Sequence, residues 1–396
     1  MKILFVGFSN SIHTVRWIEQ LDDTKWSLYL YPSQRNVILN KGFKSISFCV
    51  PFYSIFHTLF KNKLNFIFNI YVKIFSYIYF KLDRFILYCY VVIIRPDIIH
   101  SLETQHAGYL VYSVKAKYFL NSKFPTWWHT NWGSDIYIYG RIKEHKKLIA
   151  LVLENCNYYS CECNRDISLA INLGFKNHLL SVYPNTGGFK ASNFNYVLAS
   201  SRKSIMLKGY QGWAGRALTG LRALARCVEL LNGYTIFIYS NTDASDIKIA
   251  ANLFESDYNI PVVLIPVNTD HSEILKLHSI SRISIGLSIG DAISTSLLEA
   301  MSVGSFPIQS NTACAEEWLK DGVTGFIVEP EDSDDIVQAL RVALTNDFLV
   351  NKAAEINMSL IKKKLNYNEL RKETIDQYNV VFSSTNSPKN KFHVKG

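Results

Sequence analysis

Twice along the chain the same cycle runs: a short apolar stretch, a small polar loop, a stretch with helical spacing, then another apolar stretch. The first cycle opens at Ile3–Val6, passes Gly7 and Ser9-Asn10-Ser11, and enters "IHTVRWIEQL", where Ile12, Val15 and Ile18 recur at helical spacing. Further strands are predicted at "SLYLY", "SISFCV", "DIIHS", "FPTWWHT", "NYYSCE" and "LLSVYPN". Past "PNTGGFKASNFN" the cycle restarts with "SIMLKG", the helix "ALTGLRALARCVELL", "YTIFIYS", "PVVLIP", the helix "HSEILKLH" and "ISIGLS". Apolar strands alternating with helices predict parallel sheets covered on both faces. The fold class is therefore α/β with two units of similar size. The boundary is placed where Gly, Ser and Asn cluster, between Gly187 and Arg202. A length of 396 residues agrees with two domains, and with 48% hydrophobic and 19% charged residues the chain is one that folds.

The formal charge of +9 implies an anionic partner: a phosphate-bearing substrate, a membrane surface or nucleic acid. The basic residues are spread along the chain rather than gathered on one motif, which argues against nucleic acid. Seven scattered cysteines without a CxxC pair make no disulfide framework, and no HExxH motif is present. No metal ligands and no cofactor are expected, and reduced thiols point to the cytosol.

One segment stands apart. From Phe52 to Asp97 the chain is crowded with Phe, Tyr and Ile, and from Lys61 to Arg95 six basic residues stand against Asp83 alone. A spanning helix needs ~20 apolar residues with few charges, and Lys73, Lys81, Asp83 and Arg84 interrupt the run. Two readings stay open: a basic aromatic helix lying in the membrane interface, or a core helix of the first domain with exposed lysines.

The chemistry concentrates at "GDAISTSLLEAMSVGSFPIQSNT", Gly290 to Thr312. "ISIGLS" reads as a strand, so Asp291 lies in the loop at its carboxyl end, where open α/β sheets bind ligands. "STSLLEAMSV" reads as a helix capped by Ser294 or Thr295, with Glu299 about one turn inside. First-turn N–H groups between two carboxylates make an anion site with hydroxyl acceptors at either end. A nucleotide-sugar, with ribose, diphosphate and hexose in a row, matches that order. The bland alternative is an Asp that favours the helix dipole and a solvated helix Glu.

In this stretch the sequence resembles the family-4 glycosyltransferases of the GT-B fold. Their acid–seven–acid motif appears as Asp291…Glu299-Ala-Met-Ser-Val-Gly-Ser-Phe-Pro-Ile, and "EEWLKDGVTGFIVEPEDSDDIVQAL" is similar to the stretch that follows it. "IRPDIIHS", "WGSDIY" and "YPNTGG" fall where the family has similar segments. The resemblance implies two facing Rossmann-like domains with the active site in the cleft and a C-terminal helix returning to the first domain. The domains would be an acceptor domain over 1–190, carrying the segment 52–97, and a donor domain over 200–375, with a helix end and tail over 376–396.

It also implies roles. Glu299 would hold the donor ribose and Asp291 the transferred sugar, while the N–H groups of Ile293, Ser294 and Thr295 would line the diphosphate. Arg216 stands at the family's Lys position and would neutralise the leaving diphosphate, with Lys208 as help; Tyr210 stands where the family has an Arg. Asp291 replaces the usual Glu. In the first domain Gly7 and Ser11 would close over the diphosphate or the acceptor. His129 is the candidate beside the reacting carbon, weighed against a core histidine, because Trp132 takes the place before Gly-Ser-Asp where the family writes His. His13 is placed on the acceptor side, and Asp135 reads as a structural cap. The implied function is retaining, metal-independent hexosyl transfer from a nucleotide-sugar, UDP- or GDP-linked, to a lipid-linked or lipopolysaccharide acceptor. That would be a step of bacterial surface-polysaccharide or capsule synthesis on the inner face of the plasma membrane. The rivals are an epimerase or hydrolase of the same fold and a non-catalytic membrane scaffold.

Overall fold

The computed structural model describes residues 1–34, 39–49, 82–184, 187–190, 196–240 and 245–386. These form two compact units, one of residues 1–187 and 369–396, the other of residues 188–368. The return to the first unit thus begins at Glu369, inside the stretch that sequence reasoning gave to the second domain.

The first unit holds a seven-stranded sheet in the order β3-β2-β1-β4-β5-β6-β7. Its strands are β1 (Lys2–Gly7), β2 (Ser27–Pro32), β3 (Ser47–Phe48), β4 (Ile98–Leu102), β5 (Thr126–Thr130), β6 (Tyr158–Ser160) and β7 (His178–Leu179), all parallel. Ile3 to Val6 are fully buried, as strands covered on both faces must be. Helix α1 (Ile12–Glu19) follows β1 and is capped by Ser11, whose side chain accepts from His13 N. Helical residues 82–94 (α2) precede β4. Helices α3 (Tyr109–Tyr118), α4 (Lys143–Asn155) and α5 (Asn164–Asn172) complete the alternation. β7 begins at His178, just before the predicted "LLSVYPN", and ends at Leu179 as a short edge strand paired with β6.

The second unit holds a six-stranded sheet in the order β10-β9-β8-β11-β12-β13. Its strands are β8 (Ser204–Lys208), β9 (Thr235–Tyr239), β10 (Val262–Leu264), β11 (Ile283–Gly286), β12 (Phe306–Ser310) and β13 (Phe326–Val328), again all parallel. Its helices are α6 (Ala217–Ala225), α7 (Ser245–Tyr258), α8 (His271–Ser279), α9 (Thr295–Ser302), α10 (Ser333–Thr345) and α11 (Asp347–Lys364). The predicted helix from Ala217 ends at Ala225, and the chain continues as a 3-10 turn over Val228–Leu230. β12 and β13 escaped the sequence reading. Pro307 argues against a central strand because it cannot donate to the ladder. Here the strand forms despite that loss, because Phe306 and Ile308 on either side are fully buried. Each such side chain contributes roughly 1.5–3 kcal/mol of burial, more than one ladder bond.

Helix α12 (Tyr367–Asn386) packs on the first unit. Tyr378 carries the contact: its hydroxyl accepts from Trp17 Nε1 at 2.9 Å and meets His100 Nδ1 at 2.6 Å. Thr374 Oγ1 donates to Gln20 Oε1 at 2.9 Å, and Arg371 pairs with Asp23 at 2.7 Å. The expected returning helix is therefore present.

Both sheets reverse their strand order next to their first strand, between β1 and β4 in one and between β8 and β11 in the other. The loops at those carboxyl ends form the crevice where such sheets take ligands.

Of the segment 52–97, residues 52–81 lie outside the described residues. In α2, Leu87, Val91 and Ile94 are buried, while Leu82, Phe85, Val92 and Ile93 are exposed, Ile93 to 76%. Among the described residues no helix is long and apolar enough to cross a membrane.

Candidate active site

At the switch point of the second unit two loops run side by side. The first leaves β8 at Lys208 and turns back through Gly215, whose backbone bridges Ser288 just past β11. A Cβ at Gly215 would lie 2.0 Å from the Tyr210 carbonyl oxygen, so only glycine lets this loop fold so tightly. Arg216 N donates to Leu287 O at 3.1 Å, which fixes the loop against the strand end that leads to Asp291.

The second loop carries Asp291, partly exposed, whose Oδ1 accepts from Ala292 N at 2.9 Å and whose N–H reaches Thr312 O at 3.4 Å. Thr312 Oγ1 donates to Ser288 O, tying the loops after β11 and β12 together. Ser294 is the N-cap of α9, yet its side chain makes no capping bond to the backbone. Its Oγ instead meets Ser296 Oγ at 2.8 Å, and Lys208 Nζ approaches it at 3.4 Å. The helix N-terminus therefore presents its partial positive charge together with a lysine ammonium. Ile293 and Ser294 are buried, and Thr295 is partly exposed.

Arg216, the sequence candidate for the leaving diphosphate, has partners within the second unit. Its Nε donates to Glu331 Oε1 at 2.5 Å, and its Nη1 donates to the carbonyls of Gly212 and Gly215 at 3.2 and 2.8 Å. Its fork is engaged within its own loop and with Glu331. The ammonium of Lys208, ranked second from the sequence, is the cation that meets Ser294.

Glu299 is not a solvated helix residue. It is 5% exposed, and its Oε1 accepts from His271 Nε2 at 2.6 Å. Sequence reasoning missed His271, and the available signal was spacing: His271 and His278 are seven residues apart on α8, two turns, and so share a face. His278 is fully buried with Nδ1 on Ser284 Oγ at 2.8 Å, and its Nε2 has no partner among the described residues. Burial lowers its pKa to about 4, against the smaller opposing pull of Glu299. Tyr239, at the carboxyl end of β9, packs edge-on to His278 at 5.3 Å, and burial pushes its hydroxyl pKa up.

In the first unit His129 is fully buried on β5. Its Nδ1 meets Ser101 Oγ at 2.9 Å and its Nε2 meets Thr104 Oγ1 at 3.1 Å, so both ring nitrogens are occupied. Burial lowers its pKa to about 3. It is placed as a core histidine. His13 is partly exposed and stands edge-on to Trp132 at 5.8 Å. Gly7 is buried, its carbonyl accepting from Ser33 N at 2.9 Å, and Ser11 serves as the α1 cap. Asp135 accepts from Thr104 N and Trp132 N, both at 2.8 Å, which is the structural role read from the sequence. Glu103, also missed, sits at φ 79°, a conformation unfavourable for a side-chain-bearing residue, and accepts from the N–H groups of His106 and Ala107. Of the sequence candidates, Lys208, Asp291, Ile293, Ser294, Thr295 and Glu299 gather around α9, whereas Gly7, Ser11, His13 and His129 belong to the other unit.

No curated protein sequence matches the chain at a significant level. Among solved structures, sucrose-phosphate synthase from Thermosynechococcus elongatus aligns at a TM-score of 0.70 and 13% identity, over 97% of this chain and 100% of that one. Anabaena Alr3699/HepE in complex with UDP-glucose aligns at 0.67 and 12%, over 96% and 100%. The UDP-forming alpha,alpha-trehalose-phosphate synthase from Burkholderia xenovorans, in complex with glucose-6-phosphate, aligns at 0.66 and 12%, over 96% and 100%. The fold is therefore GT-B, two parallel-sheet Rossmann-like domains. Residues 255–362, which include His271, Asp291, Glu299 and all of α9, match the model of the family "Glycosyl transferases group 1", a match that lies within the second unit.

Proposed function

We propose that this protein is a retaining glycosyltransferase that takes its sugar from a nucleotide-sugar and needs no metal ion. The observation that carries the reading is the grouping of Asp291, the α9 N-terminus, Lys208 and Glu299 at one switch point. As the bond from sugar to diphosphate breaks, negative charge builds on the leaving diphosphate. Lys208 and the first-turn N–H groups of α9 stabilise that charge, an effect worth on the order of 10²–10³ in rate for one well-placed donor. Glu299 accepts from the ribose hydroxyls and Asp291 from those of the sugar. In this reading the first unit, with His13 and the β1 loop, is the acceptor-binding domain, and retention means that the new bond forms on the face of the sugar that the diphosphate leaves. UDP-linked donors are the first to test, since two structures of the same fold are described with UDP-glucose and as UDP-forming, and GDP-linked donors come next.

The acceptor in this reading is a lipid-linked or lipopolysaccharide glycan of a bacterial surface polymer, met at the inner face of the plasma membrane. Support comes from α2, where Leu82, Phe85, Val92 and Ile93 are exposed beside Arg84 and Arg95. The test is release of UDP or GDP from a panel of nucleotide-sugars, with EDTA, with and without lipid-linked acceptor, and with sedimentation on anionic vesicles. Acceptor-dependent release that survives EDTA is the expected result. Release without acceptor would mean a hydrolase, and a chelated enzyme revived by Mg²⁺ would end the metal-free reading.

A further inference from the structure

We infer that His271 is a positioning residue for the diol-binding carboxylate, and that the His271–Glu299 pair sets the preference of the nucleotide site for ribose over deoxyribose. The inference rests on the donor-site reading above and adds to it a residue and a selectivity.

A carboxylate one turn inside a helix has free rotation about its last bonds unless something holds it. Glu299 is held: the imidazole Nε2 lies 2.6 Å from Oε1, and since an ionised carboxylate only accepts, the imidazole donates. The two side chains come from different elements, α8 and α9, so the bond fixes the carboxylate relative to the sheet rather than to its own helix. The face of α8 that carries His271 is itself anchored. Ile274 and Leu277 pack against Met206, Tyr239 and Ile265, and His278 is fixed on Ser284 two turns along. His271 keeps 38% of its side chain exposed while Glu299 keeps 7%, so most of the pair's exposed surface is on the imidazole. A vicinal diol recognised by two carboxylate lone pairs needs the carboxyl plane fixed, and a buried acceptor so fixed penalises a ligand that lacks one hydroxyl. Diphosphate recognition, by contrast, rests on Lys208 and the helix N-terminus and does not pass through His271.

The test measures binding of UDP and GDP, each with its 2′-deoxy form, to the full chain and to His271→Ala and His271→Gln, with melting temperatures alongside. The wild type is expected to bind one ribonucleotide at least about tenfold more tightly than its deoxy form, which corresponds to ~1.4 kcal/mol. His271→Ala should lose most of that ratio by weakening the ribonucleotide, while binding of the deoxy form stays within about threefold of wild type. His271→Gln, whose amide can donate to the same oxygen, should recover much of the ratio. A general loss of structure would lower both forms together and leave the ratio unchanged. An unchanged ratio in His271→Ala overturns the inference alone. No binding of either nucleotide by the wild type overturns the donor-site reading along with it. If the Ala variant does not fold, the wild-type His271 ring signal in NMR decides: UDP or GDP must shift it more than the deoxy form does, and equal shifts refute the positioning role.

Discussion

The two units share one pattern of strand order and place different polar residues at its reversal. Each has a parallel sheet that reverses order beside its first strand. At the first unit's switch point the polar side chains turn inward and bond each other: His129 to Ser101 and Thr104, His100 to Tyr378 and Thr130, Asp135 to two backbone N–H groups. At the second, a lysine, a helix N-terminus and two acids come together, with Lys208 on Ser294 and Glu299 held by His271. The contrast teaches that this sheet order offers a crevice but does not supply its chemistry. Chemistry follows from which side chains the strand ends and the following helix carry.

The strongest way to break the comparison is Glu299→Ala. The fold should survive and transfer should be nearly abolished, since each charge-assisted bond to ribose is worth ~1.5–3 kcal/mol. Wild-type turnover by a folded variant would place the donor elsewhere. Lys208→Ala comes next, with a loss in kcat on the order of 10²–10³ and a smaller change in nucleotide affinity. Arg216→Ala should cost less than Lys208→Ala, because the guanidinium is held by Glu331 and two carbonyls. The reverse order would restore the role that the sequence gave to Arg216. In the first unit His129→Ala should act on stability, by roughly 1–3 kcal/mol for each bonded group left unpaired, with donor binding unchanged. A stable variant that cannot transfer would return His129 to the reaction.

Much of this was legible beforehand, and the limits have physical causes. The strand–helix alternation, Asp291 before a helix and Glu299 within it follow from local pattern, because periodicity and capping are local properties. β12 was hidden by Pro307, whose penalty is local while the compensating burial of Phe306 and Ile308 is not. The engagement of Arg216 by Glu331 was hidden because the two lie 115 residues apart in the chain. His271 was hidden for the same reason, its partner lying 28 residues away on another helix.

A further effect, confined to acid, is in pH. Burial lowers the pKa of His278 to about 4 from an ordinary 6.5, so the unfolded chain takes up a proton that the folded unit refuses. The stability this histidine contributes is complete above pH ~6.5 and is lost as pH falls toward 4. His278→Gln should flatten the acid limb of the second unit's melting profile in that window, and an unaltered limb would assign the acid sensitivity to other groups.

The central claim is that the nucleotide sits on the second unit, at α9. Amide hydrogen exchange with and without UDP or GDP tests it directly. The account predicts slower exchange over residues 288–299 and 208–216, with little change at the strand ends around residues 102–108 and 130–135. Protection confined to the first unit, or none in either, would contradict it.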